Sequence, residues 1–237
     1  MRQGFVLIFI IMLVSACADN KASDIKEKNE VIELYNHQKY GEASKICRQM
    51  LLKNERDIFA NEMLGMIESN LENYSKAQKY LKTAIKVNPK NYENYLLLGI
   101  TYFHLKDYTR SEKLFLETIE LNKKDYRVFF NLGQLQATIG QTGQSIVNYS
   151  KAIKLNDSLP SLYMSRAASF EETKAHQLAI DDYTKTIRLN PKHAIAYFLR
   201  GYIYLDIGKK NKACQDLNTA RKLGEQIPKS LKSVCKD

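Results

Sequence analysis

Asparagine recurs along this chain on an evenly marked ruler: Asn54, Asn88, Asn122, Asn156 and Asn190 fall on consecutive marks, and the next mark is Gly224. Asn and Gly are the residues that most readily enter the left-handed backbone region that stops a helix. Six such stops at one period predict six copies of one supersecondary unit. The period, about 34 residues, is the length of a helix–turn–helix repeat. A chain of 237 residues then forms one elongated array whose units bury their apolar faces against neighbours, in place of one or two ordinary domains.

From Asp24 the units run 24–57, 58–91, 92–125, 126–159, 160–193 and 194–227. The same columns are filled in register. The third unit has Tyr95, Leu98, Gly99, Tyr102, Tyr108 and Phe115, and the sixth has Tyr197, Gly201, Tyr204, Ala213 and Ala220. The others supply Gly65, Ala77, Ala84 and Pro89, then Phe129, Leu132, Gly133, Tyr149 and Ala152, then Tyr163, Ala167, Phe170, Ala179, Tyr183 and Pro191. Positions 4, 7, 8 and 11 lie on one stripe of a first helix, A, and positions 20, 24 and 27 on one stripe of a second, B. Small residues at 8 and 20 let the two helices approach closely, and aromatics fill the space between turns. An aliphatic column (Leu51, Ile85, Ile119, Ile153, Ile187) ends helix B just before the asparagine, and Pro89 and Pro191 block further helix.

These columns resemble those of the tetratricopeptide-repeat family over nearly the whole chain after residue 23. The resemblance implies an all-α solenoid, a right-handed superhelix of antiparallel helix pairs with a C-terminal capping helix. Unit one departs from the pattern, with Val31, Leu34 and Cys47 in the columns, and reads as a degenerate N-terminal cap. Unit four has Gln136 where an aromatic is usual and a polar turn, Gly140-Gln141-Thr142-Gly143-Gln144, read as a tolerated variant with a flexible joint as the alternative. In the last segment, 228–237, Pro228 suits the first turn of a short helix, and Ile227, Leu231 and Val234 would cover the last helix B.

Residues 1–16 read as a signal peptide: Arg2, then an apolar run from Phe5 to Val14 that is too short to span a bilayer. The run ends Leu13-Val14-Ser15-Ala16-Cys17, which resembles the lipobox of bacterial lipoproteins. That resemblance implies cleavage before Cys17 and acylation of Cys17. Several acyl chains anchor firmly where one binds marginally. Residues 17–23 are then the lipidated Cys and a polar tether. Ala18, not Asp, follows Cys17, and by the same resemblance this favours the outer membrane, facing the periplasm. In an oxidising compartment Cys214, in the last helix B, and Cys235, in the cap, are candidates for a disulfide, with two free thiols as the alternative. Cys47 falls in a core column and reads as a buried small hydrophobe.

The net charge of +10 is spread along the repeats without a basic block, which reads as a lysine-rich solvated surface. Export argues against nucleic acid. His37, His104, His176 and His193 lack metal-ligand spacing, and no nucleophile or phosphate-loop motif is present, so neither an enzyme nor a cofactor is expected. Most carboxylates fall on helix faces away from the core columns. Glu171 and Glu172 are read as a solvated turn, with a groove-facing placement as the alternative.

In the tetratricopeptide-repeat family the concave groove is lined by helix A, and the resemblance places Leu96, Ile100, Phe103, Arg127, Phe130, Gln134, Met164, Phe198 and Tyr202 there. The alternative is that several of them pack between neighbouring A helices. Aromatics and Arg are frequent binding anchors, and such a trough suits a peptide or amphipathic helix. The expected function is a non-enzymatic protein–protein scaffold or adaptor, lipid-anchored in the bacterial cell envelope and serving as an assembly factor for other envelope proteins. The layout resembles that of type IV pilus pilotins. The alternative is a ligand-binding lipoprotein for glycan or nutrient capture.

Overall fold

The computed structural model describes residues 23–228, 230, 231 and 235. The signal peptide, Cys17, most of the tether and Val234 lie outside them. Every regular element among the described residues is helical. Helix α1 covers residues 23–36. It is followed by α2 (Tyr40–Lys53), α3 (Ile58–Asn70), α4 (Tyr74–Val87), α5 (Tyr92–His104), α6 (Tyr108–Leu121), α7 (Tyr126–Thr138), α8 (Thr142–Leu155), α9 (Pro160–Glu172), α10 (His176–Leu189), α11 (Ala194–Asp206) and α12 (Lys210–Lys222). From α4 on, each helix begins one period of the ruler after its counterpart in the preceding unit. Short turns fold each pair back on itself.

The chain forms two compact units that divide inside α6, at Leu114 and Phe115. In the first, Val31, Ala43, Cys47, Met50, Ala60, Leu64 and Ile67 make one core cluster and Leu81, Leu98 and Tyr102 another. In the second, Ala167, Ala179, Ile180, Tyr183, Ala196 and Ile203 form a cluster, and Leu217, Ala220 and Ile227 form the terminal one. Glycine at repeat position 8 is a packing requirement in both. A Cβ on Gly65 would lie 2.6 Å from Leu81 Cδ2, and one on Gly133 would lie 2.7 Å from Tyr149 Cε1.

The asparagine marks stop helix B by a different route from the one expected. Asn54, Asn88, Asn156 and Asn190 have φ between −129° and −150°, outside the left-handed region. Each backbone N–H closes the last turn, and each side-chain carbonyl accepts the N–H two residues on: Arg56, Lys90, Ser158 and Lys192. Asn122 does the same with Lys124. This is an Asx turn, in which the side chain stands in for a backbone acceptor while the chain runs extended into the next helix. Three residues on, Asp57, Asn91, Asp125 and His193 cap the following helix A with their side chains.

The left-handed residues lie in the other turn, between A and B. Gln38, Glu72, Lys106, Gly140, Lys174 and Gly208 have φ between +57° and +77°. They recur at the same period as the asparagines. In each, the following N–H reaches back to a carbonyl five residues earlier, as Asn73 does to Glu68 at 2.8 Å and Ala175 to Phe170 at 2.8 Å. That is a Schellman motif. The glycine of the polar turn in unit four therefore fills a position that the whole array holds left-handed. Gly224, the last mark of the ruler, is left-handed (φ +99°) and closes α12 in the same way, through Glu225 N–H to Ala220 O at 3.0 Å.

Beyond it, Ile227 is buried among Leu217, Ala220, Tyr197, Phe198, Leu205 and Leu231. Cys214 and Cys235 are joined, with Cα atoms 5.4 Å apart. The bridge ties the terminal segment to α12. Cys47 is buried, and desolvation pushes its thiol up to about 12, which keeps it unreactive at neutral pH.

Candidate interaction site

The residues placed in the groove by the sequence divide in the structure. Leu96 is 2% exposed and belongs to the interior, because its turn of α5 faces the neighbouring helices. Ile100 and Phe103 are half-buried; the Phe103 ring meets Tyr108 at 5.8 Å. In the second unit the Arg127 guanidinium is held by the capping carboxylate of Asp125, at 2.6 Å, and is not an open anchor. Phe130 is half-buried against Tyr149, and Gln134 is half-buried on the same helix. Met164 packs on the cluster around Ala167, and Phe198 packs on the terminal cluster around Ile227. Tyr202 stands out at 54% exposed.

Tyr202 lines a cleft of about 410 Å³ between α9 and α11, completed by the first turn of α10. Its other walls are Leu199 and Ile203 from α11, Glu171 and Glu172 from the end of α9, His176 from α10 and Asp206 from the end of α11. Glu171 and Glu172 thus both line the cleft, Glu171 half-buried and Glu172 exposed. The 3.6-residue period explains the assembly. Leu199, Tyr202, Ile203 and Asp206 recur at helical spacing and share one face of α11.

Hydrogen bonds fix the carboxylates. Glu171 Oε2 accepts from the Tyr183 hydroxyl at 2.9 Å, and Glu172 Oε2 accepts from Thr142 at 2.8 Å. Burial pushes the Glu171 carboxyl above its usual value, offset in part by the Tyr183 hydroxyl and by the nearby His176. His176 Nε2 lies 3.4 Å from Asp206 Oδ2. Its Nδ1 is buried and has no hydrogen-bond partner among the described residues. Among the described residues no lysine or arginine lines the cleft, although the chain as a whole carries +10.

The frame behind the cleft is polar in a way the sequence columns did not indicate. Arg166 binds Asp182 through two hydrogen bonds of 2.8 Å and reaches Ser150 at 2.9 Å. One repeat later Arg200 binds Asp216 at 2.7 and 2.8 Å and reaches Thr184 at 2.8 Å. Asp182 and Asp216 are only 5% and 6% exposed, exceptions to the expectation that most carboxylates lie on outer faces. Glu68 is buried too, held by Arg48 and Asn73. Bidentate pairing satisfies both charges where water cannot. The signal was present as an Arg at repeat position 7 and an Asp at position 23 in two consecutive units.

Three family models described as tetratricopeptide repeat match the chain, over residues 62–126, 126–158 and 182–215. Small glutamine-rich tetratricopeptide repeat-containing protein 2 of Mycosarcoma maydis is 34% identical over 73 residues, 31% of this chain and 21% of that protein. The chain spans between 14% and 26% of the length of the curated relatives it matches. Among solved structures, pilF of Pseudomonas aeruginosa superposes with a TM-score of 0.73 at 16% identity, over 84% of this chain and 90% of that one. YrrB, described as a repeat protein with an unusual peptide-binding site, superposes at 0.63 with 16% identity, over 75% of this chain and 92% of that one. At these identities the likeness is one of fold.

Proposed function

The chain belongs to the tetratricopeptide-repeat family, and from that premise we propose that it is a non-enzymatic interaction scaffold, held in the bacterial cell envelope by lipid on Cys17. The observation that carries the scaffold role is the open cleft between α9 and α11, with Tyr202 exposed beside the more buried Leu199 and Ile203. An exposed aromatic beside a concave apolar floor is the usual anchor point for a partner segment. The peptide-binding site of YrrB supports the same use of a related fold.

The envelope location is supported by the Leu13-Val14-Ser15-Ala16-Cys17 run. It is also supported by the Cys214–Cys235 bridge, since disulfides persist in oxidising compartments. In this reading the anchor faces the periplasm from the outer membrane, and the array brings an envelope protein to that surface as part of assembling a complex.

One experiment addresses both parts. A photo-reactive residue at position 202 captures a partner protein in intact cells, and the same residue at position 178, exposed on α10, does not. In parallel, Cys17→Ser moves the protein from the membrane to the soluble fraction. Capture from 178 alone contradicts the cleft, and retention of the serine variant in the membrane contradicts the anchor.

A further inference from the structure

We infer that the α9–α11 cleft selects a lysine-bearing aliphatic segment of a protein partner; the inference rests on the scaffold reading above and specifies its chemistry. Three carboxylates, Glu171, Glu172 and Asp206, ring an apolar floor of Leu199, Tyr202 and Ile203. A lysine side chain has the matching form: an aliphatic stem of four carbons that lies along apolar surface and an ammonium that reaches a polar rim. The imidazole of His176 lies closest to Asp206, 3.4 Å away through Nε2, and near Glu171 as well. Glu171 and Glu172 take neutral hydroxyl donors, Tyr183 and Thr142, and retain lone pairs for a cation.

Charge complementarity sets the choice of occupant. The chain carries +10 overall, so its net field favours a segment rich in carboxylates. A cationic segment is repelled by that field and attracted where the acidic residues gather. The cleft is then a selective element: it favours a lysine-bearing partner that the net field discourages. The equivalent place in the first unit, around Ile100, contains no acidic residue. The preference is therefore not a general property of the repeat.

The test uses the full chain in detergent and three fluorescent amphipathic peptides. They have identical aliphatic positions and carry lysine, glutamine or glutamate between them. Anisotropy titrations are expected to give a lysine peptide about tenfold tighter than the glutamine one, with glutamate weakest. Asp206→Asn and Glu172→Gln each bring the lysine and glutamine affinities together, and Tyr202→Ala weakens both peptides. Added salt narrows the gap between lysine and glutamine. Equal affinity for lysine and glutamine peptides, both weakened by Tyr202→Ala, overturns the cation preference and leaves the scaffold reading standing. Binding that ignores Tyr202→Ala, or no binding, overturns the scaffold reading at this cleft. Self-association of the chain that Tyr202→Ala abolishes overturns the inference in favour of a second copy as occupant.

Discussion

Repeat position 17 meets position 13 of the following repeat in both halves of the chain, with different chemistry in each. In the first unit this pair is Tyr74 and His104, whose rings stack at 4.5 Å with planes 3° apart. In the second it is Thr142 with Glu172 and His176 with Asp206. The frame behind the pair differs as well. Position 7 is Leu64 and Leu98 in the first unit, buried in aliphatic clusters. In the second it is Leu132 in the fourth repeat, also buried, but Arg166 and Arg200 in the fifth and sixth, each locked to an Asp on its own helix B. One backbone therefore presents an aromatic lock in one region and an acid-rimmed cleft in the other. The repeat dictates which positions touch, and side chains alone decide whether the contact is closed or open for a partner.

The largest expected effect comes from the frame. Asp216→Ala leaves the Arg200 guanidinium without its partner in a site 15% exposed, and the loss of stability is expected at about 3 kcal/mol in urea unfolding. Converting the pair to the chemistry of the first unit, Arg200→Leu with Asp216→Leu, is expected to recover most of that loss, because two apolar groups replace two desolvated charges. A double variant as unstable as the single would mean the ion pair fixes the helix packing in a way leucine cannot, and the comparison would fail at that column.

A smaller effect tests whether the backbone is the same in both regions. Lys106 and Lys174 hold φ of +61° and +57° in equivalent turns of the two units. Lys106→Gly and Lys174→Gly are each expected to stabilise the chain by about 0.5 kcal/mol, as relief of left-handed strain outweighs the entropy of glycine. Gly140→Ala, at φ +77°, is expected to lose about 1 kcal/mol. Thermal melts that separate Lys106→Gly from Lys174→Gly by more than that margin would show a backbone difference beneath the side-chain one.

The fold was legible because the asparagine ruler and the small and aromatic columns are local and repeat in register. The mechanism of the ruler was not. Asn54 and its successors stop helices through their side chains in extended backbone, whereas of the six left-handed stops between A and B only Gly140 and Gly208 are glycine, and Gln38, Glu72, Lys106 and Lys174 carry no such signal. Gly224 alone on the ruler is left-handed, and it is where repetition ends. The groove assignment followed helix A positions one at a time; Leu96 is buried, and Met164 and Phe198 are half-buried, as the alternative of packing between neighbouring helices has it. Each packs against a neighbour that only the folded array brings near. Tyr202 remains exposed on that face. The cleft around it was missed because its walls come from three helices, with Glu171 and Asp206 more than a full repeat apart in the chain.

Amide hydrogen exchange of the full chain, with and without the lysine-bearing peptide, tests most directly whether a partner occupies the second region's cleft. Bound peptide is expected to slow exchange over residues 199–206 and leave the equivalent stretch, 97–104, unchanged. Slowing at 97–104, or none at 199–206, would contradict the assignment of the site.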